Sequence, residues 1–244
     1  MRIVDILNSK KLTLSFEVFP PKARETAALE PVIRTVEELA AFKPDFISVT
    51  CGAGGGVRAN TADIAAAVER SGAPALAHLT CVGSSRADID AGIRALKDRG
   101  IQNVLALRGD LPEGAATIAG FAHASDLVPV LKDAGFCVGA ACYPEGHPES
   151  KNRDADLDNL KIKVDAGVDF LTTQMFFDND MLYSFLYRLR TKGISVPVLA
   201  GIMPITNAAQ IKRMAALSNA YMPRKLLAMI DRFAESPDAL YQAG

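Results

Sequence analysis

Short apolar, β-rich runs return along this chain at a nearly constant interval. They read LTLSFEVF, DFISVTCG, PALAHLTC, NVLALRGD, CVGAACYP, FLTTQMFF and VPVLAGIM. Glu17 to Thr50 is 33 positions, and the steps onward to Thr80, Asp110, Tyr143, Gln174 and Met203 are 30, 30, 33, 31 and 29. One strand and one crossover helix fill each interval, which is the spacing of consecutive parallel strands.

The runs are continuously apolar instead of alternating, as expected of strands covered on both faces. Between them, LEPVIRTVEELAAF, NTADIAAAVERSG, RADIDAGIRALKDRG, NLKIKVDAG and AAQIKRMAALS carry apolar residues three and four apart, the helical period. Gly72, Gly100, Gly167 and Gly193 stand where helices should stop. The pattern predicts an α/β protein of the TIM-type (β/α)8 barrel class. Seven βα units are visible; a closed barrel has eight strands, and MPRKLLAMIDRFAESPDALYQAG reads as helix, so the eighth strand is expected to be missing from this chain. An open doubly wound sheet ranks lower, because FEVFPPK is not the G-x-G-x-x-G turn with which such sheets usually bind a dinucleotide.

At 244 residues, 49% hydrophobic and 23% charged, the chain suffices for one sizeable core, and residues 1–244 are expected to form a single barrel domain. A net charge of −1 without Lys or Arg runs excludes an electrostatic footprint for nucleic acid or an anionic membrane. MRIVDILNSKK lacks the apolar core of a secretory signal, and no apolar run approaches the ~20 residues of a membrane span. A cytoplasmic protein with four reduced cysteines is expected, none of them in a CxxC pair.

In a barrel of this type the active site lies at the C-terminal ends of the strands. The polar residues gathered there are Glu17, Thr50, His78, Thr80, Arg108, Asp110, Tyr143, Glu145, His147 and Gln174. Glu17 sits between Phe16 and Val18 and just before Phe19 and the Pro20-Pro21 pair, which cannot extend a hydrogen-bonded strand. Apolar neighbours disfavour a carboxylate, so this group is a candidate general acid. Arg108, Gly109 and Asp110 read either as a turn salt bridge or as a ligand contact, with Gly109 letting backbone come close.

CGAGGGVRANT lacks the Gly-Lys-Ser/Thr ending of a Walker loop; its amides could serve a flat or anionic ligand, or the segment could be a flexible connection. Asp156, Asn159 and Lys163 fall at i, i+3 and i+7 on one helical face. That face suits a ribose and a pyrophosphate at a helix start, and equally a solvated charged surface. Cys51, His78, Cys81, Cys142 and His147 lack the local spacing of a structural zinc site, and no metal is expected.

Seven ordered stretches, SFEVFPPK, FISVTCGAGG, AHLTCVG, NVLALRGDLP, ACYPEGHPE, DLDNLKIKVDAGVDFLTTQMFFD and AGIMPITNAAQIKR, together resemble the methylenetetrahydrofolate reductase family, from about Leu12 to Tyr241. The resemblance implies a β/α barrel holding FAD at its C-terminal face. It implies that NAD(P)H reduces the flavin and leaves, after which 5,10-methylenetetrahydrofolate takes the hydride and becomes 5-methyltetrahydrofolate. By motif, Glu17 is the general acid that opens the five-membered ring of the folate. Asp110 lies near flavin and pterin, Gln174 contacts pterin and nicotinamide, and Gln210 is on the substrate side. Thr50, His78, Arg108, Gly109, Tyr143, His147, Asp156, Asn159 and Lys163 match FAD-contacting positions.

Family members continue into a further helix and an eighth strand ending in a His/Phe-Tyr-Thr-Leu/Met-Asn motif, whereas this sequence stops before it. The alternative expectation is therefore a non-catalytic or partner-dependent subunit that keeps the flavin and folate rim. A homo-oligomer or a partner chain would cover the apolar edges of the first and seventh strands. A metal-dependent barrel lyase or hydrolase is a third reading.

Overall fold

A computed structural model of the chain describes residues 1–21, 29–51, 58–109 and 120–244, with the side chains of residues 58 and 59 left aside. The glycine run at 52–57 and Asp110 lie outside the described residues. The strands are β1 (Ser15–Val18), β2 (Phe46–Val49), β3 (Ala75–Thr80), β4 (Asn103–Leu107), β5 (Cys137–Cys142), β6 (Phe170–Thr173) and β7 (Val198–Leu199). The helices are α1 (Ile3–Ser9), α2 (Glu30–Ala40), α3 (Arg58–Arg70), α4 (Arg86–Lys97), α5 (Ala124–Asp133), α6 (Arg153–Asp165), α7 (Asn179–Thr191), α8 (Ala208–Ser218), α9 (Arg224–Arg232) and α10 (Pro237–Ala243). The four glycines expected to stop helices all adopt positive φ.

Strand order in the sheet is β1-β2-β3-β4-β5-β6-β7, and the registered pairs are parallel. Each strand therefore takes its place beside the one before it, always stepping in the same direction. A doubly wound sheet reverses direction once, so this order identifies the TIM-type β/α-barrel class with seven βα units.

The chain forms two compact units, Met1–Ala140 with Lys163–Phe170, and Ala141–Ile162 with Leu171–Gly244. In the first, Glu17 pairs with Ser48, Ser48 with Leu76, His78 with Leu105, and Leu105 with Gly139. Paired residues in a parallel ladder share a face and alternate residues swap faces, so Glu17, Ser48, Leu76 and His78 lie on one side. Leu79 lies on the other, against α4, where a Cβ on Gly92 would stand 3.2 Å from its Cδ1. Glu17 and His78 thus occupy the face turned away from the helices.

Two features secure that inner face. Gly139 is filled over by the Phe170 ring, which would stand 2.5 Å from any added Cβ, so only glycine fits beneath it. At the opposite, N-terminal end of β4, fully buried Asn103 accepts from the Ile3 N–H at 2.8 Å and donates to the Met1 and Ala75 carbonyls, both at 3.1 Å. One amide side chain fastens α1 beneath the strands while leaving its own polar atoms satisfied.

In the second unit, β6 follows β5 through the Gln174 N–H, which donates to the Cys142 carbonyl at 2.8 Å. β7 pairs Val198 with Leu171 and Leu199 with Thr172. It is much shorter than the apolar run VPVLAGIM suggests. Pro197 has no N–H to give, and the Gly201 N–H turns to the Thr173 hydroxyl at 2.9 Å. β1 likewise begins only at Ser15, because the Asp45 carboxylate takes the Leu14 N–H. Asn207 caps α8 by accepting from the Gln210 N–H, and Ile205, Ile211, Ile230 and Leu240 form the core joining α8, α9 and α10.

Candidate active site

Seven of the sequence-derived candidates, Glu17, Thr50, His78, Arg108, Gly109, Tyr143 and Gln174, fall in or just past the C-terminal halves of strands. Glu17 is the third residue of the four in β1, and Thr50, Tyr143 and Gln174 each stand one residue past β2, β5 and β6. Arg108 and Gly109 follow β4 directly, and His78 is within β3. His147 lies in the β5–α6 connection, Asp156, Asn159 and Lys163 on α6, and Gln210 in the first turn of α8. Asp110 is outside the described residues.

In the first unit the structure brings Glu17 and His78 together, 3.6 Å apart between Oε2 and Nε2. Between them stands a residue that the sequence reading passed over. The Ser48 hydroxyl is hydrogen-bonded to His78 Nε2 at 2.7 Å. Burial holds His78 neutral, its pKa lowered to about 4. The same cause acts in the opposite direction on Glu17, whose pKa desolvation raises above the usual glutamate value, with the Ser48 hydroxyl opposing in part. The Glu17 side chain remains 45% exposed, so the acid is reachable from solvent while the imidazole behind it, 8% exposed, is not.

Around this trio, the Thr50 N–H donates to the Val18 carbonyl, and the Thr61 hydroxyl donates to the Thr50 carbonyl at 3.0 Å. The Val82 N–H takes the Arg108 carbonyl at 2.8 Å, tying the end of β3 to the end of β4. Gly109 has φ +85°, and a Cβ there would stand 3.0 Å from the Thr80 Cβ, so backbone alone fits at this strand end.

In the second unit, Tyr143 and His147 pack edge to face with ring centroids 4.7 Å apart. His147 Nδ1 accepts from the Glu149 N–H at 3.1 Å. Gln174 Oε1 accepts from the Met175 N–H at 2.9 Å, which turns its NH2 group into the end available to a ligand. A shallow, open concavity is lined by Tyr143, Glu145, Gln174, Met175, Ser218 and Asn219, among others. Glu145 Oε2 accepts from the Tyr221 N–H at 2.6 Å, while its buried Oε1 has no hydrogen-bond partner among the described residues. On α6, Asp156 accepts from the Ser150 hydroxyl at 3.0 Å. Among the described residues no group of three or more His, Cys, Asp or Glu is placed to hold a metal ion.

Sequential parallel βα units with an acid and a neutral histidine at the strand ends define a protein of the β/α-barrel enzyme type. Comparison with known proteins makes the assignment specific. Residues 2–244 match the family model described as methylenetetrahydrofolate reductase. The chain is 38% identical over 237 residues to the 5,10-methylenetetrahydrofolate reductase of Pectobacterium carotovorum subsp. carotovorum, covering 96% of this chain and 78% of that protein. It is 39% identical over 223 residues to the Escherichia coli K12 protein of the same name, covering 91% and 74%. Among solved structures, a Clostridium thermocellum protein described as binding two copies of 5-methyl-5,6,7,8-tetrahydrofolic acid superposes with a TM-score of 0.68 at 15% identity, over 100% of this chain and 85% of that one. That likeness is one of fold. The chain belongs to the methylenetetrahydrofolate reductase family, of the bacterial type.

Proposed function

We propose that residues 1–244 act as one catalytic domain that reduces 5,10-methylenetetrahydrofolate to 5-methyltetrahydrofolate in the cytoplasm, with NAD(P)H as the hydride source, FAD as carrier and the two substrates taken in turn. Each turnover consumes one hydride and one proton, and the reading assigns the proton to Glu17. Its carboxyl O–H bond breaks as an N–H bond forms on the amine nitrogen of the folate's five-membered ring. The ring C–N bonding pair goes to that nitrogen, leaving the methylene carbon as an iminium that accepts hydride. A carboxyl group raised above its ordinary pKa beside an uncharged imidazole is the observation that carries this reading.

The chemistry of the proposed residues suits FAD. Arg108 and Lys163 supply cationic donors for a pyrophosphate, and Asp156 and Asn159 suit ribose and ribityl hydroxyls. Tyr143 offers an aromatic surface, and the side-chain-free Gly109 admits close backbone approach. Thr50, His78 and His147 complete the proposed set. When bound, the flavin supplies a two-electron carrier that accepts hydride from one substrate and gives it to the next. Gln174, through its amide, and Gln210 are assigned to orienting the folate, and Asp110 to favouring its cationic form.

Among the described residues no helix is long and apolar enough to cross a membrane. The test of the proposal is the visible spectrum of the purified chain with added FAD under anaerobic conditions. Bleaching by NADH or NADPH and recolouring by methylenetetrahydrofolate are expected. A colourless chain that retains no FAD and oxidises neither nicotinamide would overturn the proposal in favour of a partner-dependent subunit.

A further inference from the structure

We propose that Ser48 is a positioning residue for the general acid: its hydroxyl holds the Glu17 carboxyl and the His78 imidazole in one array and favours the carboxylate left after the proton departs. This rests on the reading of Glu17 as the acid. Three geometric facts carry it. Ser48 is the direct cross-strand partner of Glu17 in the β1–β2 ladder, so its side chain stands beside Glu17 on the same face. Its hydroxyl lies 2.7 Å from His78 Nε2. It is 6% exposed in an otherwise apolar strand, whose other residues are Phe46, Ile47 and Val49, where a hydroxyl without a role is a cost.

A serine hydroxyl has one hydrogen to give and lone pairs to receive. Neutral His78 donating from Nε2 fills the receiving side, and the Ser48 hydrogen is then left for Glu17. The imidazole thus acts through Ser48 to orient the acid. Among the described residues, the ionisable side chain within ion-pair distance of Glu17 is His78 of β3, two strands away, while Ser48 and Thr50 at β2 do not titrate. The Ser48 hydroxyl also opposes the desolvation that raises the Glu17 pKa, which makes the proton easier to deliver.

The test is a ¹³C NMR titration of the Glu17 carboxyl in the full chain, assigned by the signal lost in Glu17→Gln, and compared among wild type, Ser48→Ala and Ser48→Thr. An upward shift of the Glu17 midpoint in Ser48→Ala, with Ser48→Thr close to wild type, is expected. The high-pH limb of the folate half-reaction should move up with it, at a severalfold slower rate near neutrality, while flavin reduction by nicotinamide stays within about twofold. An unmoved Glu17 midpoint overturns the role of Ser48 and leaves the general-acid reading intact. A midpoint that moves while the folate half-reaction keeps its pH profile removes Glu17 as the acid, and the role of Ser48 with it. If neither variant folds, ¹⁵N NMR of wild-type His78 decides: protonation at Nε2 is expected, and protonation at Nδ1 overturns the array.

Discussion

Glu17 Oε2 and His78 Nε2 stand 3.6 Å apart without forming a charged pair, because burial keeps the imidazole neutral and works against ionisation of the carboxyl. The two shifts run in opposite directions on the pH axis from one physical cause, the low polarity of the inner face. Disfavouring charge on both groups lets the carboxyl keep its proton to higher pH than an ordinary glutamate, beside a neutral imidazole.

His78 makes the fold sensitive to acid. Its pKa falls from 6.5 to about 4 on folding, so the unfolded chain binds the extra proton between those values. Stability from this residue is complete above pH 6.5 and is lost as pH falls toward 4. A shift of this size corresponds to about 3 kcal/mol. In urea titrations across that window, His78→Gln should lose stability less steeply than wild type. Equal slopes for the two proteins would contradict the assignment.

Glu17 has the reverse sign. A folded pKa above the unfolded value means that its contribution is complete below the unfolded pKa and declines as pH rises through the folded one. Glu17→Gln is therefore expected to be at least as stable as wild type at neutral pH, and its melting temperature checks this. A clearly lower melting temperature would mean that the carboxylate form is the one that the fold favours.

Gly139→Ala forces a Cβ to within 2.5 Å of the Phe170 ring and 3.0 Å of Leu105 Cδ1. Overpacking of this kind costs about 1–3 kcal/mol. Denaturant unfolding should show that loss, and Phe170→Leu in the same chain should recover part of it. No coupling between the two substitutions would contradict the packing described here.

Asn103→Ala removes the partner of the Ile3 N–H and of two carbonyls in a buried site. The expected loss is about 1–3 kcal/mol. Because Asn103 is at the N-terminal end of β4, away from the strand ends that carry the candidate site, FAD affinity should be unchanged in whatever fraction is folded. Flavin titration of the variant at low temperature separates the two effects.

Much of the fold was legible because parallel strands and crossover helices leave a period of about 30 residues, and because a strand-end residue is marked by where the apolar run stops. Thr50, Tyr143 and Gln174 were located within one residue of their strand ends on that signal alone. Ser48 was not, since it sits inside the apolar run FISV, and only the register that sets it opposite Glu17 gives it meaning. Asn103 opens the apolar run NVLALRGD with nothing beside it to mark its role, and its partners at Met1 and Ile3 are about a hundred residues away. The bond between Glu145 and the Tyr221 N–H joins positions 76 apart that no periodicity connects. The brevity of β7 depends on where the Gly201 N–H turns, which is a matter of three-dimensional contact.

Glu17 as proton donor to the folate has a direct kinetic test. In anaerobic stopped-flow of Glu17→Gln with FAD bound, flavin reduction by NADH or NADPH should proceed at close to the wild-type rate, while reoxidation by methylenetetrahydrofolate should slow by about 10²- to 10⁴-fold. Reoxidation at the wild-type rate, or an equal fall in both half-reactions, would contradict it.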